Sequence, residues 1–289
     1  MANATLQNGN AVRYLHGYII MKGRIKCETG LQIGGVSDSI EIGGIDRPIM
    51  RDPISGLPYI PGSSLRGKLR SLLEKFVLSQ NGKPLMAGRP GSNEGKIWRH
   101  ECNDFKQAKE CPLCRVFGST AWGKTRDETT GRNNFPSVLL VRDCVLKNKS
   151  FLCPDDLLII EAKMENTLDR LTSAALPRTF ERVPAGAEFG FELIYKVESI
   201  LENGGDAKVE HERVKSDIQN LLAGLALLEN DGLGGSTSRG YGKVSFQVAK
   251  FHGFDAKGQR KGGFSGESKS IAECKTKIAD LDFCKAPGS

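Results

Sequence analysis

A histidine and three cysteines crowd into one short stretch of this chain, as His100-x-Cys102, eight further residues, then Cys111-Pro-Leu-Cys114. Two ligand pairs separated by a short loop can close a tetrahedron around Zn²⁺, because thiolate and imidazole are the borderline-soft donors that this ion prefers. With all four positions taken by protein, such a zinc is structural, and its binding would tie down a segment that has little apolar material of its own. The competing reading is a redox pair at Cys111-x-x-Cys114. The helix that follows a thioredoxin-type motif is replaced here by Arg115-Val116-Phe117-Gly118, which favours the metal. The other five of the eight cysteines, Cys27, Cys144, Cys153, Cys274 and Cys284, are scattered and read as core or surface thiols.

Two glycine-rich loops are the other places where chemistry could sit. The first runs from Gly34-Gly35 through Gly43-Gly44 to Pro48 and holds Asp38, Glu41 and Asp46, with Asp52 just beyond. A carboxylate beside a phosphodiester can hold hydrated Mg²⁺ or orient a 2′-hydroxyl, although most loop aspartates cap turns. The second, Gly232-Leu233-Gly234-Gly235-Ser236-Thr237-Ser238-Arg239-Gly240, lacks the Gly-Lys-Ser/Thr ending of a P-loop. Its backbone N–H groups beside Arg239 could still hold polynucleotide phosphates, or it could be a tight turn. No Ser-His-Asp order or paired-carboxylate motif stands out, and the chain has four histidines.

The elements that must position these residues follow from periodicity. Tyr14 to Glu28 reads as the first strand. Ser63 or Ser64 caps a helix whose stripe is Leu65, Leu69, Leu72, Leu73 and Phe76, with Arg66, Lys68 and Arg70 off the stripe and solvated. Asn81 to Glu110 looks like an insertion. Strands are expected at 138–146, 157–163 and 189–197, a second helix at 214–228 on Val214, Ile218, Leu221, Leu222, Leu225 and Leu228, and a last strand at 241–251. The order strand, helix, strand, strand, helix, strand is that of an α+β, ferredoxin-like split βαβ fold. Past Phe254 the Gly, Lys and Ser content predicts a basic, flexible extension over 255–289 carrying a short helix near 271–281.

In the 289-residue chain, 41 Lys and Arg face 34 Asp and Glu, giving a formal net charge of +7, which suits a phosphate-rich partner. With 39% hydrophobic and 26% charged residues it is an ordinary globular composition, which excludes bulk disorder and coiled coil. No run reaches the roughly 20 apolar residues of a membrane span, and the polar start lacks a signal-peptide segment, so a soluble cytoplasmic protein with reduced thiols is expected. There is no internal repeat.

Five separated motifs then carry a resemblance. Gly43-Gly44-Ile45-Asp46, the stretch from Ile60-Pro61-Gly62-Ser63-Ser64 to Arg70, Cys111 to Gly118, Glu165-Asn166-Thr167-Leu168-Asp169-Arg170 continuing to Gly186, and Gly232 to Gly242 stand in the order of the RAMP superfamily. The chain most resembles the repeated backbone subunits of type III-A (Csm) CRISPR effector complexes, over about Gly23 to Phe251. The resemblance implies a modified RNA-recognition-motif core over 1–254, copies of which stack into a filament along a guide RNA beside other effector subunits. It implies a thumb, about 164–188, inserted between guide and target RNA, and cleavage of the target at regular intervals. Asp46 matches the aspartate needed for that cleavage, with Mg²⁺ or a similar divalent cation as its helper. Ser63, Ser64, Arg66, Lys68 and Arg70 match the guide-backbone contact, Arg170, Arg178 and Arg182 the thumb, and Gly234, Gly235 and Arg239 the glycine-loop contact. The zinc-binding insertion falls at about 81–118, on His100, Cys102, Cys111 and Cys114. One departure is Gln32, where members of the family often carry a histidine.

Other readings remain beside an RNA-guided ribonuclease subunit. The same architecture could grip guide RNA without cutting, a superfamily relative could process guides, which usually takes a histidine, and the CxxC pair could be an oxidoreductase centre.

Overall fold

Strand β1 (Val12–Cys27) buries Ile19, Met21, Ile25 and Cys27, a period of two that turns one face to the core and leaves the other to solvent. The computed structural model to which it belongs describes residues 12–34, 47–80, 89–91, 97–102, 105–120, 134–201 and 207–285. Asp38, Glu41 and Asp46 lie outside the described residues. After β1 come β2 (Tyr59–Ile60), α1 (Gly62–Gln80), β3 (Arg89–Gly91), β4 (Ile97–Arg99), α2 (Phe105–Glu110) and α3 (Pro112–Phe117). Then follow β5 (Leu139–Val141), β6 (Cys144–Leu146), α4 (Lys149–Leu152) and a hairpin of β7 (Glu161–Leu168) and β8 (Ala175–Arg182). The chain continues through β9 (Glu188–Leu201), α5 (His211–Asp231), β10 (Val244–Asp255), β11 (Arg260–Lys269) and α6 (Ile271–Thr276).

The result is a mixed α and β fold about one antiparallel sheet in the order β11-β10-β1-β9-β6-β2, with β5 also paired to β9. Helices α1 and α5 pack on each other and on the sheet through the predicted stripes, Leu65, Leu69, Leu72 and Leu73 from one and Val214, Ile218, Leu221, Leu222, Leu225 and Leu228 from the other; the predicted Phe76 is only partly buried, and Val77 takes the buried place. Where they meet, a side chain at Gly224 would come within 3.0 Å of Leu73. Strand β10 holds one phase through Val244, Phe246 and Val248 and then changes it. Lys22 of β1 faces Lys250 whereas Gly23 faces Val248, so Ala249 is an extra residue, and the next buried side chain is Phe251.

Two expectations are corrected here. The start of α1 is not capped by Ser63 or Ser64, which lie inside its first turn; the carboxylate of Asp143 accepts the Gly62 N–H at 2.7 Å. Nor is the expected flexible extension loose over its described residues, 255–285, of which only the short helix near 271–281 was foreseen. Its glycines and lysines form β11, paired with β10, and a Ser270–Glu273 capping box then starts α6. Ile271, Cys274, Ile278, Leu281, Phe283 and Cys284 enter the main core, because their helix-like spacing supplies an apolar stripe that the surrounding polar residues obscure. Gly262, Gly263 and Gly266 of β11 adopt φ of 78°, 91° and 126°, which interrupts its pleat. Among the described residues no helix is long and apolar enough to cross a membrane.

Candidate metal centre and nucleic-acid interface

The loop that follows β4 carries His100, directly after the strand, and Cys102; the junction of α2 and α3 carries Cys111, and the first turn of α3 Cys114. Their ligand atoms all lie within 4.8 Å of one another. The Cys102 N–H donates to Cys114 Sγ at 3.3 Å, and His100 Nε2 lies 3.2 Å from Cys111 Sγ and 3.7 Å from Cys102 Sγ. Ligands about 2.3 Å from a tetrahedral centre stand roughly 3.8 Å apart, so these four fit around one ion and could bind a metal. Hydrogen bonds with Cys102 and Cys111 push the His100 imidazole up to about 9. Those from Cys102, Cys114 and His100 hold the Cys111 thiol far below its usual range. Contrary to the sequence reading, a helix does follow Cys111, but it spans only Pro112–Phe117 and stops at Gly118, where φ is 77°. His100 and Cys102, on the other side of the dithiol, are what distinguish this arrangement from a redox pair.

Arginines of α1 hold this segment. Arg70 donates to the His100 carbonyl at 2.7 Å and to Glu74 at 2.9 Å, while Arg66 donates to the Phe117 carbonyl at 2.5 Å and lies 5.5 Å from its ring centre. Lys68 pairs with Asp231. The expectation that these three cations stay solvated is therefore corrected: each is half-buried and engaged, Arg66 by α3, Arg70 by the loop at His100 and Lys68 by the last residue of α5. Ser63 is exposed. From α3, Arg115 reaches Asp217 of α5 at 2.9 and 2.5 Å, and the Tyr195 hydroxyl donates to the same carboxylate at 2.8 Å. Asp217 is fully buried, and burial pushes its carboxyl up against the pull of Arg115.

A second constellation forms where the hairpin meets the glycine-rich loop. Gly235 N–H donates to the Gln32 carbonyl at 2.8 Å and Gly242 N–H to that of Gly30 at 2.9 Å. A side chain at Gly234, where φ is 81°, would lie 2.3 Å from the Gln32 oxygen, so only glycine lets the loop sit on the segment that follows β1. Glu165 of β7 accepts from Arg239 at 2.6 Å and from the Tyr241 hydroxyl at 2.7 Å. Lys163 and Arg182 lie 4.5 and 4.9 Å from the Tyr241 ring centre, and Arg182 also donates to Glu161 at 2.7 Å. Desolvation and the Glu165 carboxylate push the Tyr241 phenol up to about 12. The hairpin spans Glu161↔Arg182 to Leu168↔Ala175, and its far end exposes Leu168, Leu176 and, at 96%, Leu171. Arg170 stands in its turn and Arg178 on β8, both exposed.

The same hairpin grips the chain that follows Asp46. Arg47 bridges Phe180, and the Glu181 N–H donates to the Arg47 carbonyl at 3.1 Å. The buried Glu181 carboxylate accepts from Ile49 N–H at 3.1 Å and from Arg51 at 2.8 Å. Asp52 caps a turn, accepting from Ser55 N–H at 2.8 Å. The structure thus gathers Arg182, Gly234, Gly235 and Arg239 at one end of the hairpin, together with Arg47. It groups Arg66 and Arg70 with the candidate metal cluster instead. Sequence reasoning missed Tyr241 and Glu181 as organising residues. It also missed Asp217, whose signal was a lone charge on the apolar stripe between Val214 and Ile218.

A model of the RAMP superfamily matches residues 24–245. The chain belongs to the RAMP superfamily. Among RAMP proteins it is 38% identical over 277 residues to the "CRISPR system Cms endoribonuclease Csm3" of Methanothermobacter thermautotrophicus, covering 92% of this chain and 99% of that one. It is 39% identical over 241 residues to the Streptococcus thermophilus protein of the same name, covering 81% and 91%. Two solved RAMP structures are similar. The Methanopyrus kandleri Csm3 crystal structure has a TM-score of 0.54 at 29% identity, covering 84% of this chain and 79% of that one. A Csm3-Csm4 subcomplex of the type III-A CRISPR-Cas interference complex gives 0.52 at 26%, covering 93% and 98%.

Proposed function

We propose that this RAMP chain is the repeated backbone subunit of a type III-A CRISPR effector complex, an endoribonuclease that grips guide RNA and cuts complementary target RNA at regular intervals. The observation that carries this reading is the hairpin whose base holds the glycine-rich loop on one side and the residue after Asp46 on the other. A thumb so rooted can pry apart a guide–target duplex while keeping the chain that bears Asp46 in step with it. The order β10-β1-β9-β5/β6, with α1 and α5 packed on it, is the order expected of a ferredoxin-like, modified RNA-recognition core. On it, Ser63, Ser64, Arg66, Lys68 and Arg70 would line the guide backbone, and Arg170, Arg178 and Arg182 would follow the duplex at the thumb. Further copies of this chain, a Csm4-type neighbour, guide RNA and target RNA are its partners. All eight cysteines are free, as suits a cytoplasmic protein.

The chemistry follows from RNA itself. Prying out a target nucleotide kinks its backbone and brings the 2′-hydroxyl into line with the leaving 5′-oxygen. Asp46 accepts the hydroxyl proton as the 2′-oxygen bonds to phosphorus and the bond to the 5′-oxygen breaks, that oxygen taking a proton from water. Mg²⁺ or a similar cation, held by Asp46 and the phosphate, would neutralise charge there. The soft His/Cys cluster, the sole metal-capable group among the described residues, does not suit it. The test is a target RNA carrying 2′-deoxy nucleotides at the cut positions. Cleavage should stop there, and unmodified products should end in a 2′,3′-cyclic phosphate; 3′-hydroxyl ends would sink the mechanism.

For His100, Cys102, Cys111 and Cys114 we propose structural zinc, which would cross-link β4, α2 and α3. Elemental analysis of the purified chain is expected to give one zinc per molecule, lost on Cys114→Ser with a lowered melting temperature. A metal-free chain with a Cys111–Cys114 disulfide would restore the redox reading.

A further inference from the structure

The Glu165 carboxylate is more heavily served than an ordinary surface carboxylate. It accepts from the Arg239 guanidinium at 2.6 Å and from the Tyr241 hydroxyl at 2.7 Å, and the Lys163 ammonium stands 3.6 Å away. Its side chain is 15% exposed, while that of Arg239 is 60% exposed and open to a ligand. Around it three cations, Lys163, Arg182 and Arg239, face two carboxylates, Glu161 and Glu165. A guanidinium, a hydroxyl and an ammonium converging on one oxygen anion beside a glycine-rich loop are the donors that a phosphodiester oxygen also recruits. Moreover, the carboxylate belongs to the hairpin and its two strongest donors belong to the loop, so exchanging the anion also unties one element from the other.

We propose that Glu165 stands in for an RNA phosphate: in the RNA-free chain it fills the anion site of Arg239, Tyr241 and Lys163, and a backbone phosphate displaces it when RNA lies along the glycine-rich loop. The inference rests on the reading that this loop contacts RNA, and it adds a latch that RNA must open. Each binding event replaces an intramolecular ion pair by an intermolecular one, so the pair subtracts from affinity and holds the hairpin against the loop until RNA arrives. Glu165 is on this account a competitor of the ligand and takes no part in cleavage.

The test is anisotropy of a labelled single-stranded oligouridylate with the full chain over a salt series, using Glu165→Gln, Arg239→Ala and the double variant. Glu165→Gln keeps an acceptor for Tyr241 and removes the charge, so it should bind about two- to fivefold more tightly, the worth of a partly exposed ion pair. Arg239→Ala should bind more weakly, with the slope of log affinity against log salt smaller by about 0.7, one single-strand phosphate contact. The double variant should match Arg239→Ala, because the latch acts through Arg239. Should Glu165→Gln fail to fold, Glu165→Asp, whose shorter arm draws back from Arg239, should still bind more tightly than the wild type. A folded Glu165→Gln that binds no more tightly than the wild type, while Arg239→Ala weakens binding, overturns the latch alone. Arg239→Ala with unchanged affinity and slope overturns the loop–RNA reading beneath it. Inorganic phosphate displacing the oligonucleotide beyond its ionic-strength effect would assign the site to free phosphate and overturn the proposal.

Discussion

Asp46→Ala in the assembled complex, with guide, labelled complementary RNA and Mg²⁺, is expected to slow target cleavage by roughly 10²–10⁴-fold, the usual worth of a positioned general base. Guide and target affinity should stay as in the wild type, because the groups proposed to hold RNA are cations and backbone N–H groups, of which Asp46 is neither. The periodic fragments of the wild type should vanish together on a denaturing gel, since every copy in the filament presents the same residue. The physical case for Asp46 is its connection. It is joined to Arg47, whose carbonyl is tied to β8 by the Glu181 N–H, whereas Asp52 is spent on its own turn. A variant that binds and still cuts at the wild-type rate would move the chemistry to another residue. Tight binding without fragments from either protein would leave a filament subunit that only holds the guide.

The second large effect concerns stability. Asp217→Ala is expected to cost about 3–5 kcal/mol, because Arg115 would be left buried without its counter-charge and Tyr195 without its acceptor. For a chain of this size that corresponds to a fall of roughly 10 °C in melting temperature. Asp217→Asn, which keeps an acceptor for the Tyr195 hydroxyl, should cost less. Replacing Arg115, Asp217 and Tyr195 together by apolar residues of similar volume should restore most of the loss, as a buried ionic cluster gains little over a packed one. A single Asp217→Ala that melts with the wild type would show that water reaches the cluster. Because Arg115 follows Cys114 in α3, the same variant should also loosen the thiol cluster, which a metal-retention assay would detect as faster loss to a chelator.

Much of this was legible where one element supplies its own pattern. Strand β1 was expected at Tyr14 to Glu28 and is found at Val12–Cys27, and α5 was expected at 214–228 and is found at His211–Asp231; in each the apolar period belongs to the element itself. The four candidate ligands were legible as a cluster because two pairs close in sequence need little help from the fold to converge. What escaped depends on distant partners. The turn of Arg66 and Arg70 away from solvent requires α3 and His100 to lie over α1, which nothing in residues 62–80 announces. Around its expected short helix the C-terminal segment was misjudged as flexible because composition counts Lys257, Gly258 and Lys261 equally with Ile271 and Leu281, whereas folding counts the apolar few that find α5. Tyr241 was read as the start of a strand, because the acceptor of its hydroxyl, Glu165, and its cationic neighbours come from a hairpin some seventy residues earlier in the chain.

The glycines of β11 have one more consequence. A sheet that ends on a straight, regular strand offers a template to any passing chain, and a protein proposed to work as a row of identical copies is always surrounded by chains of matching sequence. Here the edge strand β11 carries Gly262, Gly263 and Gly266 at positive φ, with Lys261 and Lys269 along it, and Gly262 is already bridged to Leu281, so the edge is neither straight nor free along its length. Copies that meet at this edge therefore have nothing to zip onto. The length of the proposed assembly would then be left to the RNA, since accretion through this edge of the sheet is closed off.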